Sequence, residues 1–380
     1  MKSKILYIFP SHLPLSEATF FFDLALEQIR TAKHLPHVLF LQDHVSVEIA
    51  RRKKIPFTVL NHKVSAMKIF WPFKIRKIIK RNQFEVILVV GSNHFLMLFV
   101  STFFQNTKKI WINHGPSHWA ASFISHFLPC YSTLFFSNVV KEQSKNAFGI
   151  IPQGGYWKIP FGVFEREIDE IALQEIHQKY KNRKQLIGIV GDIGPDGGQM
   201  TLVDTIHLLK KTIGDNLFNQ LNFMVLGTAK NKKDLKFFKK LLDKIHQYQL
   251  DQYIYFLGEK ENIHVYLNAI DVLVFANEKA FDVQRDLMQA ILQNTLIVTN
   301  DRSWPVEVID NYITGIRYQG NAQVPSLLLK DIIINYVEKK PPLTSSKIES
   351  ILLNAKEKIL SDYNREKMIQ KFNEVFDMIS

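Results

Sequence analysis

Two histidines stand where short apolar runs end. His114 lies in Ile112-Asn113-His114-Gly115, and His94 lies in Gly91-Ser92-Asn93-His94. If those runs are strands, each imidazole sits at a carboxyl end, where it could hydrogen-bond a bound hydroxyl or exchange a proton near neutral pH. A lone histidine is more often structural than catalytic. His118 does not pair with His114 as a metal site, because Pro116 opposes the helix that would align them. A second candidate is Gly188-Ile189-Val190-Gly191-Asp192-Ile193-Gly194-Pro195-Asp196-Gly197-Gly198-Gln199, a strand and a glycine-rich loop before a helix from about Met200. Backbone amides there could approach a diphosphate. The alternative is a tight turn whose glycines only permit the chain path, and the spacing is not the dinucleotide fingerprint. A third is the stretch 271–317, which holds Glu278, Phe281, Asp282, Arg285, Gln289 and Glu307.

These groups need elements to hold them. Residues 271–275 form a short β-rich run, 276–282 a polar loop, and 283–292 carry apolar residues at helical spacing. A second short strand, 296–299, follows. In open parallel sheets ligands sit in the loop after a strand's carboxyl end. The same alternation of strand and helix runs through the chain. Strands are expected at 5–9, 38–42, 57–60, 86–90, 109–113 and 134–137, then again at 186–190, 222–226, 253–257, 272–275 and 296–299. That alternation predicts an α/β protein with doubly wound parallel sheets. A linker is expected over 154–164.

The 271–317 stretch resembles the donor-site segment of retaining GT-B glycosyltransferases, family 4. That family shows a Glu, seven residues, Glu-Ala in a helix and then Gly-x-Pro-Val-Val. Here Gln289-Ala290 stands for Glu-Ala, Asn294-Thr295-Leu296-Ile297-Val298 replaces the Gly-x-Pro segment, and Glu307-Val308-Ile309 with Thr314-Gly315 matches the closing pattern. Phe281 occupies the position of the first Glu, leaving Glu278 and Asp282 as the nearby acids. The Gly191–Gly198 loop is similar to the family's Gly-Arg-Leu…Lys-Gly, with Asp192 at the Arg and Gly197 at the Lys. Those two cations neutralise the donor diphosphate in the family. Lys230, Lys232 or Arg285 could replace them here. His114-Gly115 resembles the family's recurrent His-Gly. Phe9-Pro10 with Leu15-Ser16-Glu17-Ala18-Thr19-Phe20 resembles an opening loop that faces the interdomain cleft, though Ser16 could simply cap a helix from about Thr19. Ser137 to Lys141, Ile159-Pro160-Phe161-Gly162-Val163, Phe256-Leu257-Gly258 and the amphipathic tail also resemble the family, with Phe161 in place of the usual Asn.

The resemblance implies a GT-B architecture of two Rossmann-like domains facing a cleft. Residues 1–160 would form the acceptor-side domain, 161–360 the nucleotide-sugar domain, and 361–380 a helix packing back toward the first. It implies His114, Glu278 and Asp282 as catalytic groups. Gly191, Asp192, Gly197, Gly198, Phe281, Arg285, Gln289 and Glu307 would serve the donor, and Ser16, Glu17, Ser92 and His94 the acceptor side of the cleft. No metal or other cofactor is expected beside the nucleotide-sugar substrate.

Composition fits this picture. The chain has 380 residues, enough for two domains, with 46% hydrophobic and 22% charged residues. Its single cysteine, Cys130, excludes an internal disulfide and fits a reducing compartment. The first residues have too short an apolar run for a secretory signal, and no run approaches the ~18–20 apolar residues of a membrane-crossing helix. A net charge of +12 asks for a polyanionic partner. Residues 68–81, KIFWPFKIRKIIKR, mix six cations with apolar and aromatic residues and hold no acid. That suits a helix on an anionic bilayer, broken by Pro72, or equally a solvated helix with its apolar side packed inward. No recognised nucleic-acid motif accompanies the charge. The expected function is transfer of a sugar from a nucleotide-sugar to a cell-envelope glycan or lipid-linked acceptor, with retention, at the cytoplasmic face of the membrane. The alternative is a catalytically inactive GT-B-like partner of a glycosyltransferase system.

Overall fold

The computed structural model describes residues 3–9, 15–31, 33–43, 45–60, 71–102, 105–113, 119–148, 155–163, 165–180, 185–276, 284–301, 304–321, 323–338 and 345–379. The chain divides into two compact units, Met1–Gly162 with Arg365–Ser380, and Val163–Asn364.

The first unit is built on strands β1 (Lys4–Phe9), β2 (Leu35–Phe40), β3 (Phe57–Val59), β4 (Val86–Val90), β5 (Lys108–Ile112), β6 (Ser132–Phe135) and β7 (Gly155–Lys158). They form one seven-stranded sheet in the order β3-β2-β1-β4-β5-β6-β7, and every pairing is parallel. A parallel sheet must be covered on both faces, so its central strands read as unbroken apolar runs. Val86-Ile87-Leu88-Val89-Val90 is buried at every residue. Helices α1 (Leu15–Thr31), α2 (Val45–Arg52), α3 (Trp71–Asn82), α4 (Ser92–Ser101), α5 (Trp119–Phe127) and α6 (Asn138–Phe148) make the connections. Ser137 caps α6, accepting a hydrogen bond from the Val140 amide at 3.1 Å.

On one face Trp71, Ile75 and Ile79 of α3 pack with Phe95, Leu98 and Trp111 against Leu6, Ile8, Ile87 and Val89. The apolar stripe of the basic segment therefore lies in the core. What α3 exposes is Phe73, Arg76, Lys77, Lys80, Arg81 and Asn82. Residues 68–70 lie outside the described residues.

An aromatic cluster ties the two ends of the chain together. Phe20 of α1 contacts Phe161 at 4.9 Å and Phe136 at 5.5 Å between ring centroids. It also meets Phe372 at 5.7 Å, on α14 (Arg365–Ile379), the last helix of the chain. Polar contacts hold the last turn of α14: Lys33 pairs with Asp377 at 2.5 Å, and the Tyr131 hydroxyl donates to the Met378 carbonyl at 3.1 Å. Phe161, which takes the place of an asparagine in the family pattern, is thus a core residue.

The second unit carries α7 (Glu170–Tyr180), β8 (Gln185–Val190), α8 (Gln199–Phe218), β9 (Leu221–Leu226), α9 (Lys232–Gln247), β10 (Ile254–Gly258), α10 (Ile263–Ala269), β11 (Val272–Phe275), α11 (Gln284–Leu292), β12 (Leu296–Asn300), β13 (Ile316–Tyr318), α12 (Gln323–Glu338) and α13 (Ser345–Asp362). Its sheet is ordered β10-β9-β8-β11-β12-β13 and is parallel throughout. Side chains alternate between faces. Ile187, Ile189, Phe223, Val272 and Val298 meet α8, α9 and α12, while Gly188 turns the other way, against Ile270 just beyond α10.

Two edge strands depart from the sequence expectation. Residues 155–158 fall inside the expected linker, and 316–318 follow a turn; both are short and gain order only by pairing with β6 and β12. Helix α1 also begins earlier than expected, so Ser16 lies within its first turn instead of capping it.

The Phe372 ring is fully buried between Phe20 and Phe376. Phe372→Ala is expected to destabilise the protein by about 3–5 kcal/mol, read as a lower urea midpoint.

Candidate functional site

In a doubly wound sheet the crevice for a ligand opens where strand order reverses, beyond the carboxyl ends. In the second unit that point lies between β8 and β11. The loop leaving β8 runs from Gly191 to Gly198 and enters α8. Gly198 holds its N-cap position with φ 78°, a left-handed conformation that suits glycine.

Backbone packing explains the glycines. A Cβ on Gly227 would come within 1.9 Å of the Gly191 carbonyl oxygen, and Gly227 itself has φ 147°. A Cβ on Gly197 would meet the Asp192 carbonyl at 2.4 Å and the Gln199 amide at 2.2 Å. Two loops are therefore pressed together: the one after β8 and the one after β9. Gln199, fully buried, fastens the first by donating from Nε2 to the Asp192 carbonyl at 2.9 Å. The Ile193 amide donates to the Thr228 carbonyl at 3.0 Å. The glycines thus serve the loop's own path, as one of the two sequence readings required.

Asp192 carries the sign opposite to the family's cation, yet a cation is present. Lys230, from the loop after β9, places Nζ 2.8 Å from Asp192 Oδ2. Both side chains remain partly exposed. An ion pair of that kind contributes only ~0–1 kcal/mol, so it can exchange partners at little cost. Lys232 lies two residues further on, at the start of α9, where Asn231 caps the helix by accepting from the Lys233 and Asp234 amides.

Beyond β11, residues 277–283 lie outside the described residues, and with them Glu278, Phe281 and Asp282. Helix α11 then buries Arg285, Asp286 and Gln289, and Gln293 just after it is buried too. Gln293 accepts a hydrogen bond from Asn268 Nδ2 at 3.1 Å. The Nε2 donor of Gln289 is buried and has no hydrogen-bond partner among the described residues. Glu307 ends a 3-10 turn at Trp304–Glu307 and is half-buried. Tyr363 reaches its carbonyl, and burial, with Glu307 nearby, pushes that phenol up to about 12.

The first unit reverses strand order between β1 and β4. Ser16 and Glu17 open α1 after β1, and Ser92 and His94 open α4 after β4, so the topology brings these four positions to one edge of the sheet. Ser92 is buried and its carbonyl accepts from Ser125 Oγ at 3.2 Å. His114 lies outside the described residues. Sequence reasoning missed Gln199 and the contact of Gly227 with Gly191; the only signal was the Leu226-Gly227 ending of a predicted strand.

Residues 172–340 match the family described as glycosyl transferases group 1. No curated protein sequence matches the chain. Among solved structures it is similar to a glycosyltransferase from Rickettsia africae ESF-5, at 17% identity and TM-score 0.78, over 100% of this chain and 98% of that one. It is also similar to Anabaena Alr3699/HepE in complex with UDP and glucose, at 16% identity and TM-score 0.80, over 99% and 100%. A third likeness is the lipopolysaccharide outer core galactosyltransferase WaaB, at 13% identity and TM-score 0.66, over 99% of each chain. The chain has the GT-B fold.

Gly227→Ala sets a methyl group against backbone that cannot swing aside. We expect a loss of about 1–3 kcal/mol from the forced conformation alone, measured by thermal or urea unfolding, with Gly214→Ala as a control whose added Cβ meets nothing within 4 Å but also sits at positive φ.

Proposed function

We propose that this chain, whose residues 172–340 belong to the glycosyl transferases group 1 and whose fold is GT-B, transfers a sugar from a nucleotide-sugar to a cell-envelope glycan or lipid-linked acceptor with retention of configuration. The observation that carries the reading is Lys230 on Asp192. The family pattern asks for a cation beside the loop after β8. Here that residue is an aspartate, and the ammonium arrives from the neighbouring loop. Diphosphate oxygens, which gain charge as the glycosidic bond breaks, would draw Lys230 from its weak pair. Gln289, with a buried donor to spare, would bind a ribose hydroxyl as the family's glutamate does. Arg285 would supply further positive charge, and Glu278 or Asp282 would attend the sugar. Ser16, Glu17, Ser92, His94 and His114 would line the acceptor side. No metal or other cofactor is assigned to the reaction. The nucleotide found with HepE makes UDP the first to try.

Work at the cytoplasmic face of a membrane is part of the same proposal. No helix among the described residues is long and apolar enough to cross a membrane. The exposed side of α3 instead offers Arg76, Lys77, Lys80 and Arg81 with Phe73, which is 68% exposed. Each cation near an anionic surface contributes about 1 kcal/mol.

Two measurements test these readings. UDP, GDP or ADP should raise the melting temperature of the full chain, and Lys230→Ala should weaken that binding about tenfold, in line with loss of one charge-assisted hydrogen bond. A melt unmoved by any nucleotide at millimolar concentration would favour the inactive-partner alternative. Separately, reversing Lys77, Lys80 and Arg81 to Glu should abolish co-sedimentation with vesicles rich in phosphatidylglycerol while leaving the melt unchanged; full retention of pelleting would remove the membrane surface from the proposal.

A further inference from the structure

Helix α5 turns its polar residues inward and its aromatic residues outward. It buries Ser125 and His126 completely, and it exposes Phe123 at 38%, Ile124 at 44% and Phe127 at 52%. The polar pair is engaged inside. Ser125 Oγ donates to the Ser92 carbonyl at 3.2 Å, and the His126 ring stands edge-on to Trp111 with centroids 5.2 Å apart. Outside, Phe123 and Phe127, one turn apart, meet at 5.0 Å between ring centroids and form an aromatic ridge. A helix serving the core alone would place these residues the other way, because each exposed ring leaves apolar area in water.

The neighbouring helix continues this surface. Helix α4 packs against both α3 and α5. It buries Phe95 and Leu98 on the sheet and leaves Val100 exposed in its last turn. Neither α4, SNHFLMLFVS, nor α5, WAASFISHF, contains an aspartate, glutamate, lysine or arginine. Surface helices ordinarily carry charge on the side away from the core. These two carry none.

Charge stands beside them, and it has one sign. Helix α3 exposes Arg76, Lys77, Lys80 and Arg81 together with Phe73. Between Glu48 and Glu142 the sequence holds one acid, Glu85. That carboxylate precedes β4 and accepts from Ser3 Oγ at 3.3 Å.

Three occupants could cover such a face, and its chemistry separates them. A second copy of the chain would bring the same acid-free helices and set cations against cations. Single-stranded nucleic acid would suit the cations, but Val100 and Ile124 offer no plane on which a base can stack. The interfacial layer of an anionic bilayer takes both parts at once. Its phosphates meet the lysines and arginines, while apolar side chains sink about 5–10 Å toward the acyl chains. We propose that the face formed by α3, α4 and α5 seats on such a bilayer by insertion, with the Phe123–Phe127 ridge entering the lipid. The inference rests on the membrane reading above and extends it from attraction to anchoring. Attraction by the α3 cations is reversed by salt; an inserted ridge is not.

Co-sedimentation of the full chain with vesicles of phosphatidylglycerol and phosphatidylcholine, over a salt series, tests the anchor. At ~1 M salt, where charges are screened beyond about 3 Å, a bound fraction should remain. It should fall about tenfold or more in the double variant Phe123→Gln with Phe127→Gln, as loss of two inserted rings requires. That variant should melt like the unmodified chain, since both positions are exposed, and should still pellet at low salt through α3. In a monolayer of the same lipids the unmodified chain should raise the surface pressure and the variant should not. If the double variant unfolds, Ile124→Lys replaces it with the same expectations. Binding that salt removes completely, or equal behaviour of the unmodified chain and a folded variant, overturns insertion and leaves the α3 attraction standing. Absence of pelleting even at low salt overturns both. Displacement from vesicles by single-stranded RNA that the ridge variants bind more weakly assigns the face to nucleic acid and overturns the proposal.

Discussion

Every strand pairing named within the two sheets is parallel, and that constraint governs where everything else can go. Parallel neighbours cannot be joined by a hairpin, so each connection must cross a face as a helix. Both faces are then covered, the strands become wholly apolar, and the polar groups that remain are pushed to the edges. All loops leaving a strand's carboxyl end collect on one edge of their sheet. Where the strand order reverses, helices depart to opposite faces and leave a crevice. The residues after β8, β9 and β11 gather on that edge in one unit, and those after β1 and β4 in the other. Chemistry is confined there by topology before any side chain is chosen.

Close packing of two loops explains why a cation can change its address. Gly227 and Gly191 touch backbone to backbone, so the loop after β9 lies against the loop after β8. A lysine on the second loop can therefore stand beside a residue of the first. The position a ligand senses is a point in space, and here two chain segments reach it. Asp192 and Lys230 meet there as an ion pair at 2.8 Å. Such a partly exposed pair is weak, whereas a tightly buried one would resist being parted.

Much of this was legible in the sequence, and what was not has a physical reason. The central strands announced themselves because burial on two faces demands continuous apolar runs; β4 and β11 were read at their observed bounds. Strands β7 and β13 were not, because an edge strand of three or four residues owes its order to a neighbour and not to its own pattern. The α3 stripe shows the limit of periodicity. Spacing reveals that one side is apolar, but only the fold reveals that Trp71, Ile75 and Ile79 meet the sheet and leave Phe73 outside. The pairing of Lys230 with Asp192 was open for a different reason. Three cations were available in sequence, and nothing local says which loop will lie beside which.

Helix α11 presses the same distinction further. Its apolar residues, Leu287, Met288, Ile291 and Leu292, suffice to fix it against the sheet, yet it also buries Arg285, Asp286 and Gln289, with Gln293 buried just beyond its end. An amide buried without a full set of partners costs about 1–3 kcal/mol. A helix selected for stability alone would replace Gln289 with a leucine or methionine of similar size. Gln293 is accounted for by Asn268, and Arg285 and Asp286 have partners, whereas the Gln289 donor finds none among the described residues. That donor follows the strand at which the sheet reverses its order, the place where topology provides for a ligand.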